Sequence, residues 1–180
     1  MTPARFPDGL ERRAATELRA APGRRLEGYA ATFGVPASIG AFTETIRAGA
    51  FRASLSGGAD VLALVDHDPA RLLARTSSGT LRLAEDSRGL HFEIDLPDTQ
   101  LGRDVLALAE RRDLGGMSFG FRAKDEAWPA RDRRELRTVE LIEVSVVQAF
   151  PAYGNTSISA RARGTEAAPA RLRRLFLETL

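Results

Sequence analysis

The 180-residue sequence contains no cysteine. That excludes disulfides, thiolate nucleophiles and cysteine-based zinc sites together. Histidine is nearly as scarce, since His67 and His91 are the only two, too few for a multi-histidine metal centre. Lysine occurs once, at Lys124, and tryptophan once, at Trp128. No apolar run approaches the roughly 20 residues needed to span a bilayer, and no charged-then-apolar leader opens the chain. The expectation is a cytosolic chain with no cofactor, no metal and no membrane partner. Its chemistry has few candidate actors.

What is present fits one domain with a short tail. Hydrophobic residues make up 43% and charged residues 28%, ordinary for a globular chain. The net charge of +2 is unevenly placed. Residues 161–180 hold five arginines against Glu166 and Glu178, so the remaining 160 residues carry a slight negative excess. The basic character belongs to the tail, and a nucleic-acid-binding body is not expected.

Residues 1–24 are polar, with Pro3, Pro7, Pro22 and Gly23 as punctuation, and read as an N-terminal arm or edge strand. Strands are predicted over 15–20 and 26–33, then a loop marked by Gly34, Pro36 and Gly40, and a short helix ending near Gly57-Gly58. Residues 61–65 form a compact apolar run that fits a buried strand with His67 at its end. Short strands over 72–76, 80–83 and 90–96, separated by turn signals, have the pattern of a β meander. From Thr99 the period becomes helical, with Leu101, Val105, Leu108 and Ala109 on one face, until Asp113 and Gly115-Gly116 stop it. Residues 117–121 and 139–147 read as strands, with a charged and poorly defined stretch over 124–137 between them. Residues 164–169 look like a linker and 170–180 like a short basic helix.

Three segments can carry chemistry. In a strand over 117–121, Met117, Phe119 and Phe121 form an apolar face, while Ser118 and Gly120 share the other. Gly116 upstream and Gly120 clear backbone beside a small hydroxyl, as a serine nucleophile receiving a peptide requires. The competing reading is a half-buried strand with a small outer face. His67 lies in Val65-Asp66-His67-Asp68-Pro69. It is placed to act as a general base, or is simply a turn residue. In 139–147, Ile142, Val144 and Val146 define one face, with Leu141, Glu143 and Ser145 on the other. Glu143 in a largely buried strand needs a partner. That partner is either an arginine or the proton-bearing nitrogen of a histidine. His91 falls in phase with Glu93 and Asp95 on a polar face and is given no role.

These segments, in this order, resemble the prohead proteases of HK97-type tailed phages, including those of phage-derived gene transfer agents. The resemblance is carried by Glu27-Gly28-Tyr29-Ala30-Ala31-Thr32-Phe33, Ala48-Gly49-Ala50-Phe51, His67-Asp68 and Arg75-Thr76-Ser77-Ser78-Gly79-Thr80-Leu81. It continues through Asp86-Ser87-Arg88-Gly89-Leu90, Leu96-Pro97-Asp98-Thr99 and Gly116-Met117-Ser118-Phe119-Gly120-Phe121. Glu143-Val144-Ser145-Val146-Val147 and Phe150-Pro151-Ala152-Tyr153 complete it.

The resemblance implies a mainly β (α+β) fold, a β-barrel with peripheral helices similar to that of herpesvirus assemblins. The protease domain would run over residues 25–161, followed by a linker and basic tail helix over 162–180. It implies a serine endopeptidase with Ser118 as nucleophile, His67 as base and Glu143 as third member, Asp68 being the runner-up. Gly120 and Gly116 would border the bound substrate. Oxyanion donors are expected within 150–156. The implied substrate and partner is the major capsid protein, whose scaffold-like segment is cut inside the assembling prohead in the host cytoplasm. Self-cleavage and self-association are further expectations. The tail is either a detachable segment or a helix packed on the barrel. The rival reading is a non-enzymatic β-domain of a phage particle.

Overall fold

A computed structural model describes residues 9–15 and 17–149. In chain order its elements are β1 (Glu11–Ala15), β2 (Glu17–Ala21), β3 (Arg25–Thr32), β4 (Ala37–Ile39), β5 (Phe42–Ile46) and α1 (Arg52–Ser56). Then follow β6 (Leu62–Val65), β7 (Asp68–Arg75), β8 (Leu81–Glu85), β9 (Gly89–Asp95), α2 (Gln100–Glu110), β10 (Gly116–Ala130) and β11 (Arg133–Val147). No described helix is long and apolar enough to cross a membrane.

The strands form two sheets. The larger has the order β1-β10-β11-β5-β4 and also takes in β6, beside β11, and β7, beside β6. At 15 residues β11 is long enough to serve two parallel neighbours on one edge, β5 along 133–136 and β6 along 143–146. The smaller sheet has the order β2-β3-β9-β8 and is antiparallel throughout. A mainly β chain is therefore what forms. Among the described residues, however, each sheet retains edges, so no closed barrel results.

The core lies between the sheets. Met117, Phe119 and Phe121 of β10 are buried on one face, as their alternation predicts, and join Val144 and Val146 of β11. Leu26, Leu90, Phe92 and Ile94 enter from the smaller sheet. Phe51, just before α1, packs edge-on to Phe119 with ring centroids 5.6 Å apart. Helix α2 buries Gly102, Val105 and Ala109, and its N-cap Thr99 accepts a hydrogen bond from the Gly102 amide at 3.2 Å.

Three expectations are corrected. Residues 72–96 do not form one meander, because β7 pairs with β6 in the larger sheet and β8 with β9 in the smaller. The turn at 77–79 is a crossing between sheets. The charged stretch 124–137 is not irregular: it is the far end of the β10–β11 hairpin, paired across the strands from Ala123↔Val139 to Ala130↔Arg133. Its charges hide the strand signal because they pair with one another, as Lys124 does with Glu140 at 2.6 Å. The loop after Gly34 contains two strands, β4 and β5, the second entering the larger sheet through parallel pairing. The linker and tail expected at 162–180 lie outside the described residues.

Candidate active site

Strand β6 is buried from Ala63 onward and leads directly into Asp66 and His67, the two central residues of a tight hairpin to β7. Both have positive φ, 52° and 63°, the paired left-handed geometry that two-residue hairpins require. Neither residue is a glycine, so the surroundings must hold the turn. The Asp66 amide donates to the Val146 carbonyl at 2.9 Å, and its carboxylate accepts from the Gln148 amide at 3.0 Å and from Arg71 at 2.9 Å. The His67 backbone is thereby tied to the end of β11.

The register of β1, β10, β11 and β6 builds the rest of the site. One row across the sheet runs Arg12, Gly120, Glu143 and Leu62, and the next runs Ala14, Ser118, Ser145 and Leu64. Side chains in adjacent strands at paired positions share a face, so Ser118, Glu143 and Ser145 stand together, opposite the core face of Phe119. A β-bulge sharpens this separation. Gly120 pairs with Glu143 but Phe121 pairs with Leu141, leaving Ile142 as the extra residue. The expectation that Leu141 shares the face of Glu143 is corrected by that bulge. Leu141 turns into the core, and its amide donates to the Ser54 hydroxyl oxygen at 2.9 Å.

The structure brings His67 and Glu143 together. His67 Nδ1 lies 2.6 Å from Glu143 Oε1. With the carboxylate ionised, this bond needs the proton on Nδ1, which leaves the Nε2 lone pair able to accept a proton. Glu143 is only 4% exposed, and such a burial is tolerable because several groups meet it. Its Oε2 accepts from the Ser145 hydroxyl, and the Arg12 Nε stands 3.5 Å from Oε1. Both partners weighed for Glu143, histidine and arginine, are thus present.

Ser118 is the cross-strand neighbour of Ser145 and is 3% exposed. Its hydroxyl donates to the main-chain carbonyl of Arg13 in β1, at 2.8 Å. Asp68 serves elsewhere: its carboxylate accepts from the Ala70 amide two residues on, in an exposed local turn. His91 packs edge-on to Tyr29, 5.2 Å between centroids, in the smaller sheet.

The two glycines have distinct local reasons. Gly116 opens β10 with φ 128°, a conformation side-chain-bearing residues avoid. At Gly120 an added Cβ would lie 3.0 Å from both Cγ and Cδ of Glu143, and closer still to Oε1. The space left by the missing side chain is filled by the Glu143 carboxylate. Gly120→Ala is therefore expected to push the carboxylate off His67. The rate of Ser118 modification by a fluorophosphonate should fall about 100-fold, with the circular dichroism spectrum retained.

Ser145, Arg12 and the Arg13 carbonyl are the site components that residue-by-residue reading does not single out. Ser145 carried a usable signal, being two residues from Glu143 on one strand face. Arg12 and the Arg13 carbonyl carried none, because only the β1–β10 register brings them in. Among the described residues, no three His, Asp or Glu side chains are grouped as a metal ion would need.

A family model described as caudovirus prohead serine protease matches residues 10–171. No curated protein and no solved structure matches the chain. The match spans both sheets and every residue of the site just described. This chain is a member of the caudovirus prohead serine protease family, and hence a serine peptidase of capsid maturation.

Proposed function

We propose that Ser118 is the nucleophile, His67 its general base and Glu143 the group that orients and stabilises the imidazole. The observation that carries this reading is the 2.6 Å contact between His67 Nδ1 and Glu143 Oε1, on the sheet face that also holds Ser118. Ser118 turns its hydroxyl from the Arg13 carbonyl to His67 Nε2 and attacks the scissile carbonyl as His67 takes the proton. His67 then gives that proton to the leaving amine, and water, activated in the same way, hydrolyses the acyl-enzyme. Gly116 flanks the approach of the peptide, while Gly120 gives its side-chain space to the Glu143 carboxylate. Oxyanion donors fall to residues 150–156, which lie outside the described residues.

The substrate under this proposal is the scaffold-like segment of the major capsid protein, cut inside the assembling prohead in the host cytoplasm. The protease domain spans residues 25–161, with β1 and β2 of the preceding segment completing its two sheets. The basic segment 162–180 is a site of self-processing, and copies associate on the shell. Ser118 is buried here, so peptide reaches it when that face opens. This fits activity that begins with assembly.

Co-expression with the neighbouring capsid protein, followed by mass-spectrometric mapping of termini, tests the proposal. New capsid-protein termini should arise with the wild-type chain and be missing with Ser118→Ala. Unchanged cleavage by Ser118→Ala overturns the nucleophile assignment. An intact capsid protein in particles assembled with the wild-type chain overturns the substrate assignment.

A further inference from the structure

We infer that Ser145 is a positioning residue of the protease: its hydroxyl fixes the plane of the Glu143 carboxylate so that Oε1 stays aimed at His67. The inference rests on the proposed roles of Ser118, His67 and Glu143. It concerns a fourth side chain, which acts through its hydrogen bond to Glu143.

A carboxylate has two oxygens and turns about its last bond. Two donors compete for Oε1 of Glu143, His67 Nδ1 at 2.6 Å and Arg12 Nε at 3.5 Å. A guanidinium carries a permanent charge and is a strong carboxylate partner, so left alone the carboxylate is drawn toward Arg12. Ser145 donates to the other oxygen, Oε2, and is fully buried. With Oε2 pinned, rotation toward Arg12 breaks a buried hydrogen bond, which is costly.

The anchor is itself rigid. Ser145 lies in β11 between β10, where it faces Ser118, and β6, where it faces Leu64. Strands hydrogen-bonded on both edges hold the Cα–Cβ direction tightly. The hydroxyl has no other described partner, and a buried hydroxyl without one is disfavoured against alanine. Packing alone would be met by alanine. The oxygen is there for Glu143.

The test is a double-mutant cycle on the full chain, with wild type, Ser145→Ala, Glu143→Gln and the double variant. The first readout is the second-order rate of fluorophosphonate reaction at Ser118 in assembled proheads. The second, which needs no turnover, is the water exchange of the His67 Nδ1 proton by NMR. Ser145→Ala should slow labelling about tenfold in the wild-type background and less than about twofold in the Glu143→Gln background. It should also speed exchange of the Nδ1 proton. Equal slowing in both backgrounds identifies a packing effect and overturns the inference, as does wild-type labelling and exchange in Ser145→Ala. Ser118→Ala separates this failure from that of the proposed function. If it labels as fast as wild type, the nucleophile assignment falls; if it is inert while Ser145→Ala is normal, only the role of Ser145 falls.

Discussion

Glu143→Gln should lower capsid-protein processing on the order of 10³- to 10⁴-fold, while Asp68→Asn leaves it near wild type. The amide has two ways to lie and both fail. With its oxygen toward Nδ1 it keeps the tautomer but loses the negative charge that stabilises the imidazolium. With its NH₂ toward Nδ1 it forces the proton onto Nε2, and His67 cannot act as a base. Asp68 is outside this geometry because its carboxylate is engaged by the Ala70 amide in an exposed turn. Quantitative peptide mapping of processed capsid protein gives the comparison. The reverse ranking would transfer the third role to Asp68.

Arg134→Ala should strongly destabilise the larger sheet. Arg134 is 1% exposed and joins strands that are distant in the chain. It donates to Glu11 of β1 at 2.8 Å, to Glu44 of β5 at 2.9 Å and to Glu126 of β10 at 2.8 Å. Arg13 of β1 completes the cluster, at 2.6 Å from Glu44 and 2.9 Å from Glu11. Removing Arg134 leaves buried carboxylates that Arg13 alone cannot match. A loss of about 3 kcal/mol, roughly 6–12 °C in Tm, follows.

The same cluster sets a pH dependence. Burial pushes the Glu11 carboxyl up, but the hydrogen bonds and charges of Arg134, and then Arg13, outweigh it and hold it below its usual value. A carboxyl lower in the folded state than in the unfolded one contributes stability above the usual carboxylate range. That contribution is lost as pH falls through the folded value. The Tm gap between wild type and Arg134→Ala should therefore be full at neutral pH and narrow below about pH 4. A gap that widens in acid would contradict this account of the cluster. Because Glu11 and Arg13 lie on β1, the cluster also holds the strand whose Arg13 carbonyl meets Ser118.

Much of the site was legible from residue type and period. Two-residue alternation separated Ser118 from Met117 and Phe119, and the cost of burying Glu143 pointed to a histidine or arginine partner. The compact run before His67 read as a strand, and β6 occupies it. What could not be read depends on pairing between distant segments. A single bulge at Ile142 moves Leu141 to the core side, and no local pattern announces an extra residue. The distal ribbon of β10 and β11 looked irregular because its strands are joined by ion pairs instead of an apolar stripe. Arg134 has no distinguishing mark within the charged stretch 124–137, since only the meeting of β1, β5 and β10 around it supplies the carboxylates that let it be buried. The two-sheet arrangement depends on where the chain crosses at 77–79, and a turn signal does not specify which sheet the next strand joins.

The central claim is that the Ser118 hydroxyl is activated by a His67–Glu143 pair on one face of the larger sheet. It is tested most directly by locating the fluorophosphonate adduct on the chain in assembled proheads by mass spectrometry, with His67→Ala in parallel. A single adduct at Ser118 in the wild-type chain, lost in His67→Ala, is the result predicted. An adduct on another serine, or undiminished reaction at Ser118 without His67, would contradict it.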